Sequence, residues 1–139
     1  MENQNSFNQF VNDATQVRNY SKHLFRIHEL AVHQLNPDEI TETEQSCFYF
    51  LYSTAKAIKK IEKKAIKKGV PVTEIESSKL IELIKSDSGQ LSESLVISHN
   101  LVCHRLHLMH FTEKVQNSLY FVSEVVKHIK AIENQLKAE

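Results

Sequence analysis

The sequence predicts an all-α fold, an antiparallel bundle of four to five helices forming a single domain over residues 1–139. Three observations carry this expectation. Chain breakers are scarce: the 139 residues contain two glycines and two prolines. They fall at Pro37, the Gly69/Pro71 pair and Gly89, dividing the chain into a few long segments. Within those segments apolar residues recur at steps of three and four, the period of one helix face, and nothing alternates as a strand does. The 41% hydrophobic and 24% charged content is that of an ordinary globular domain, long enough to bury a core without covalent staples.

The first segment, from about Ser6 to Leu35, places apolar side chains at Phe7, Phe10, Val11, Ala14, Val17, Tyr20 (or Ser21), Leu24, Ile27 and Ala31. That is a helical period held for about eight turns. Residues 36–42 read as a loop running into a capping box, with Thr41 as N-cap and Glu44 three residues on. A second helix is expected from about Glu42 to Lys68, with Cys47, Phe48, Leu51, Ala55, Ile58, Ile61, Ala65 and Ile66 as its apolar stripe. Lys67 and Lys68 suit the negative end of the helix dipole, and Gly69 is a natural left-handed stop. Pro71 requires extended chain at Val70. Thr73 and Glu76 then form a second capping box, opening a short helix to about Lys85, and Ser86–Gly89 is a turn by composition.

From Leu91 onward there is no Gly or Pro. Leu91, Leu95, Val102, Leu106 and Met109 continue the period, and Val115, Leu119, Val122, Val126, Ile129, Ile132 and Leu136 carry a second stripe. One straight helix over this stretch would reach about 70 Å, too long for a domain of this size. A turn or kink is therefore expected near 110–113, with Thr112 placed to cap the final helix.

Charge and targeting signals exclude several classes. Seventeen basic and seventeen acidic residues give a formal net charge of zero, so only a local patch can argue for a nucleic-acid partner. The N-terminus, Met-Glu-Asn-Gln-Asn-Ser, lacks the pattern of a signal peptide. The longest apolar run, Cys47 to Tyr52, is too short to span a bilayer. Cys47 and Cys103 sit in helical, apolar contexts and form no disulfide framework. A cytoplasmic protein without membrane or cofactor is the expectation.

Two stretches carry chemistry. Lys56, Lys59, Lys60, Lys63, Lys64, Lys67 and Lys68 are opposed within their segment by Glu62 alone. They form either a phosphate-binding stripe or a solvated helix face. Residues 98–111 hold four of the eight histidines and one of the three arginines, mixed with apolar residues. His104, His107 and His110 are spaced by three, but the outer two point about 120° apart on a helix. One helix therefore cannot offer all three to one ion, and no metal site is expected. Ser98-His99-Asn100-Leu101 resembles the start of a histidine-kinase phosphoacceptor box, and the likeness ends after four residues.

Arg105 and His110 have four residues between them. Arg18/His23 and Arg26/His33 share that kind of spacing, and context favours Arg105/His110. Cys47 to Gly69, with Cys-Phe-Tyr opening and Lys-Lys-Gly closing, is followed by a Pro-containing turn, a short helix around Leu80-Ile81-Glu82-Leu83, and Leu91-Ser92-Glu93-Ser94-Leu95 leading to Arg105. A final amphipathic helix comes after His110. Over about residues 45–137 this resembles the HEPN domains, helical bundles marked by Arg, four to six residues, then His. Lys56 stands where many members carry Glu, and Leu106 where a polar residue is common.

The resemblance implies a metal-independent RNA endonuclease, a bacterial toxin or defence component, working as a homodimer whose motifs face across the interface and facing a cognate antitoxin protein. Imidazole moves protons near neutral pH, and guanidinium stabilises charge on phosphorus. His110 and Arg105 would fill those roles, with His104 and His107 as auxiliary groups and Lys56, Lys60, Lys63 and Lys67 as RNA contacts. On one continuous helix Arg105 and His110 point about 140° apart, so convergence requires a helix break or a second chain. The alternative is a non-enzymatic helical interaction protein: an immunity protein, antitoxin or regulatory subunit. A histidine phosphotransfer protein and a His-ligated metal bundle are further alternatives.

Overall fold

The computed structural model describes residues 20–69, 78–86 and 90–138 of the chain. Five helices form in order: α1 (Tyr20–Gln34), α2 (Glu42–Lys68), α3 (Ser78–Ser86), α4 (Leu91–Arg105) and α5 (Glu113–Ala138). Short 3-10 turns at Pro37–Glu39 and Leu108–His110 lie in the α1–α2 and α4–α5 connections. Among the described residues there is no strand, and no helix is long and apolar enough to cross a membrane.

Local chemistry sets the boundaries. Thr41 Oγ1 accepts from the Glu44 N–H at 3.2 Å while the Thr41 N–H donates to Glu44 Oε1 at 2.9 Å, the reciprocal box that satisfies two donors at the start of α2. Gly69, at φ +60°, ends α2 after Lys67 and Lys68. Thr112 Oγ1 accepts from the Val115 N–H at 3.3 Å and opens α5.

Helices α1, α2, α4 and α5 form a ring in which each packs on the next: α1 on α2, α2 on α4, α4 on α5 and α5 on α1. The short α3 lies against α2 and α5. Side-chain contacts give the directions. The end of α4, at Arg105, meets the start of α2, at Glu44. The start of α4, at Ser92, meets Glu133 late in α5. Neighbours are therefore antiparallel, the up-and-down arrangement of a four-helix bundle. The 35–41 and 106–112 connections share one end of it. Leu24, Ile27, Leu51, Ile58, Ile84, Leu95, Val102, Val125 and Ile129 fill the centre at 1% exposure or less, each worth about 1.5–3 kcal/mol in burial.

Three stripe positions differ from expectation. Met109 is exposed because the helix stops at Arg105, several residues before the predicted break, so Met109 lies in a 3-10 turn off the apolar face. Ile66 is 62% exposed, one turn past Glu62, which takes the inward position and accepts from the Ser21 N–H at 3.2 Å. In α5 it is Val125 that is fully buried, with Val126 only half-buried. The inward row runs Val122, Val125, Ile129, Ile132, alternating steps of three and four. The expected helical stretch before Tyr20, Arg18, the extended Val70–Val72, the Thr73/Glu76 box and the turn before Gly89 lie outside the described residues, as do the side chains of Ala65, Leu80, Ile81 and Leu136.

Candidate functional site

At the loop end of the bundle, α4 gives way to extended backbone at Leu106 (φ −71°, ψ 133°), whose buried side chain turns into the core. His107 is also extended, and its Nδ1 accepts from the Met109 N–H at 3.2 Å, capping the 3-10 turn that carries His110. Arg105 and His110 are thus separated by a break rather than fixed on one helix. His104 and His107 are exposed and His110 is half-buried. Arg105 is engaged across the bundle: its Nη1 donates to the Glu39 carbonyl and lies 3.8 Å from Glu44 Oε1. An ion pair this exposed contributes about 0–1 kcal/mol. The two contacts, both through Nη1, tie the α4 terminus to the connection before α2 and to the first turn of α2.

Among the described residues no group of three or more His, Cys, Asp or Glu is arranged to hold a metal ion. Ser98 is fully buried and donates to the Ser94 carbonyl at 3.1 Å. His99 is half-buried, its Nδ1 3.7 Å from Cys103 Sγ, and burial pushes the Cys103 thiol up from its ordinary value.

The lysines of α2 are all exposed. Lys56, Lys60, Lys63 and Lys67 follow steps of four, three and four, which puts them on one stripe. Lys56 and Lys60 border a shallow cleft of about 220 Å³ shared with Leu83 of α3. Lys56 Nζ lies 5.5 Å from the Tyr52 ring centroid and Lys59 Nζ 5.6 Å from that of Phe25. Glu62 does not temper this face: it is 6% exposed and points to Ser21. Its burial raises its pKa above the ordinary carboxyl value, opposed by hydrogen bonds from Ser21 and by Lys59. The lysines and the Arg105/His110 region are not brought together within one chain. Lys56 lies about 18 Å, and Lys67 about 35 Å, along α2 from Glu44.

Sequence reading missed a buried polar cluster between α1 and α5. Ser118 Oγ lies 2.7 Å from His23 Nδ1 and accepts from Arg26 Nη1 at 3.0 Å. The His23 ring stacks on Phe121 with centroids 4.4 Å apart. Burial, then the Arg26 and Lys22 charges, lower the His23 pKa. A hydroxyl beside an imidazole is the pairing of a nucleophile with its base, but Ser118 is fully buried and the cluster reads as packing. No apolar-period signal could have found it, since all three partners are polar.

Also missed was a groove of about 380 Å³ between α1 and the first half of α2. Ala31, Leu35 and Phe48 are buried in its wall, and Val32, Tyr49 and Tyr52 stand exposed around it. The His28 ring is 5.0 Å from Tyr52, and burial lowers its pKa, helped by His33 and opposed by Glu29. The available signal was Tyr49 and Tyr52, an aromatic pair at a three-residue step outside the buried stripe of α2. The chain matches no protein-family model, no curated protein and no solved structure.

Proposed function

We propose that this chain is an RNA-binding helical bundle that contacts phosphates through the Lys56, Lys60, Lys63 and Lys67 stripe of α2. The observation that carries the reading is the inward turn of Glu62. The one acid among thirteen residues of α2 is spent on the Ser21 backbone, leaving the outer face uniformly cationic. Such a stripe pairs with phosphates whatever the base sequence.

The HEPN-like extension adds cleavage. The break after Arg105 supports this, since the pair is not held about 140° apart on one helix, and in this reading a second copy supplies the facing motif. The lysines then act at a distance from the cut, as a track for the strand. A second reading, a non-enzymatic interaction protein, is favoured by the contacts that hold Arg105 to Glu39 and Glu44.

Both are tested with one labelled single-stranded RNA. Four phosphate contacts predict that log Kobs falls with log salt at a slope of about −3, and that each Lys→Ala change in the stripe lowers that slope by about 0.7. A salt-independent affinity, or one indifferent to these substitutions, overturns RNA binding by α2. Cleavage in EDTA that His110→Ala abolishes supports the nuclease; binding without cleavage at concentrations where the chain dimerises leaves the non-enzymatic reading.

A further inference from the structure

We propose that the groove between α1 and α2 is a docking site for an amphipathic helix of a partner protein, one whose apolar ridge ends in basic residues. The groove is apolar where it is deep and exposes its rim: Val32 at 48%, Tyr49 at 64% and Tyr52 at 39%. A helix about 10–12 Å across does not enter a space of about 380 Å³, but a row of its side chains does, the helix-in-groove mode of recognition. The α2 wall is built from Gln45, Phe48, Tyr49 and Tyr52, residues on one face, so the groove runs along the helix axis. From Glu42 to Lys56 that face is about 21 Å long, the length of a partner helix of about fourteen residues.

Charge selects the occupant. Glu42 continues the same face toward the start of α2, and Asp38 and Glu39 stand in the 3-10 turn between the lining residues Pro37 and Ile40. All three acids are exposed. The nearby Glu44 is matched by Arg105, and Lys56 stands at the far end, over Tyr52. The groove thus runs from an acidic end, where Arg105 matches Glu44, through an apolar middle to Lys56, the first residue of the lysine stripe. A small apolar ligand leaves the acids unused. A second copy offers exposed apolar residues beside basic ones at Ile66 among the α2 lysines and at Leu108 and Met109 near Arg105, but neither place presents a ridge at steps of three and four.

The test uses two fluorescein-labelled fourteen-residue helical peptides with the same leucine ridge, one ending in lysines and the other in glutamates. Affinities are measured by anisotropy against the full chain carrying Lys60→Ala, Lys63→Ala and Lys67→Ala, so that the lysine stripe captures neither peptide. The lysine peptide is expected to bind at least tenfold tighter than the glutamate peptide, with the difference shrinking as salt is raised. Val32→Ser with Tyr49→Ser, both at exposed positions, should cost at least tenfold with the circular dichroism spectrum unchanged. Asp38→Lys, Glu39→Lys and Glu42→Lys together should reverse the peptide preference. Equal affinity for the two peptides, or indifference to the groove substitutions, overturns the proposal. So does a self-associated native chain that Tyr49→Ser renders monomeric, which assigns the groove to a second copy, and so does uptake of a small apolar dye with neither peptide binding.

Discussion

Replacing Glu133 with alanine should lower the unfolding free energy by about 2–6 kcal/mol, because this one carboxyl group closes the start of α4 from the neighbouring helix α5. The residue before α4, Gln90, makes no side-chain capping bond, so the first-turn donors of α4 need an acceptor from elsewhere. Glu133 of α5 supplies it, accepting from the Ser92 N–H at 3.2 Å and from the Ser92 hydroxyl. Glu133 is 3% exposed and Ser92 8%, so water does not readily replace the missing oxygens. Each buried donor left unpaired costs about 1–3 kcal/mol, and two are orphaned together. Glu133→Gln keeps one acceptor oxygen and should cost about 1 kcal/mol, as should Ser92→Ala, which removes the hydroxyl but leaves the N–H bond. Urea unfolding with linear extrapolation measures each change, provided the slope with denaturant is constant. A double-mutant cycle between Glu133→Ala and Ser92→Ala should return a coupling of about 1–2 kcal/mol. A Glu133→Ala variant within about 0.5 kcal/mol of the native chain, the range of ordinary surface changes, or a cycle with no coupling, would refute this account of how α4 begins.

Two further outcomes are expected. Burial and the Arg26 charge hold the folded pKa of His23 below the ordinary 6.5, so the unfolded chain takes up the proton first as pH falls. The stability contributed by neutral His23 is present above pH 6.5 and is lost as pH drops from there through the lowered folded value. His23→Gln should flatten that part of a stability-against-pH profile, and an unchanged profile would remove His23 as its source. Gly69→Ala should destabilise by about 1 kcal/mol in thermal or urea unfolding. Among the described residues, nothing beyond the chain neighbours lies within 4 Å of an added Cβ, so the expected cost is that of the left-handed backbone at φ +60°, and a neutral result would mean that α2 does not end in that conformation.

Backbone punctuation was the most readable part of the sequence. The Thr41/Glu44 box, Gly69 and Thr112 act through their own neighbours in the chain, and each ends or begins a helix where its chemistry requires. Stripes were readable where both flanking helices cover the face, as for Leu24, Ile27 and Leu51. They misled at Ile66, where Glu62 takes the inward position, and at Met109, where the helix has already ended at Arg105. Long-range polar pairs left no trace: Ser21 with Glu62 and Ser92 with Glu133 are each 41 residues apart, and a serine or glutamate on an inward position looks like an interruption of the pattern rather than a cap for a distant helix. For the site, sequence spacing picked out Arg105 and His110 and the lysines. What it could not supply was the contact of Arg105 with Glu44, which places that region at the start of α2 and away from the lysines, or the groove, whose walls come from two helices.

The placement of charge along α2 has a consequence for the molecule as a whole. A helix backbone is positive at its start and negative at its end, equivalent to about half a charge at each. Glu42 and Glu44 sit at the start of α2 and its lysines crowd the end, so the side chains more than cancel the peptide moment and reverse it. The two ends of α2 thus present opposite side-chain charge although the chain as a whole is formally neutral. Exposed charges of this kind are felt over about 10 Å in 0.1 M salt, so whatever approaches α2 meets a different electrostatic surface at each end.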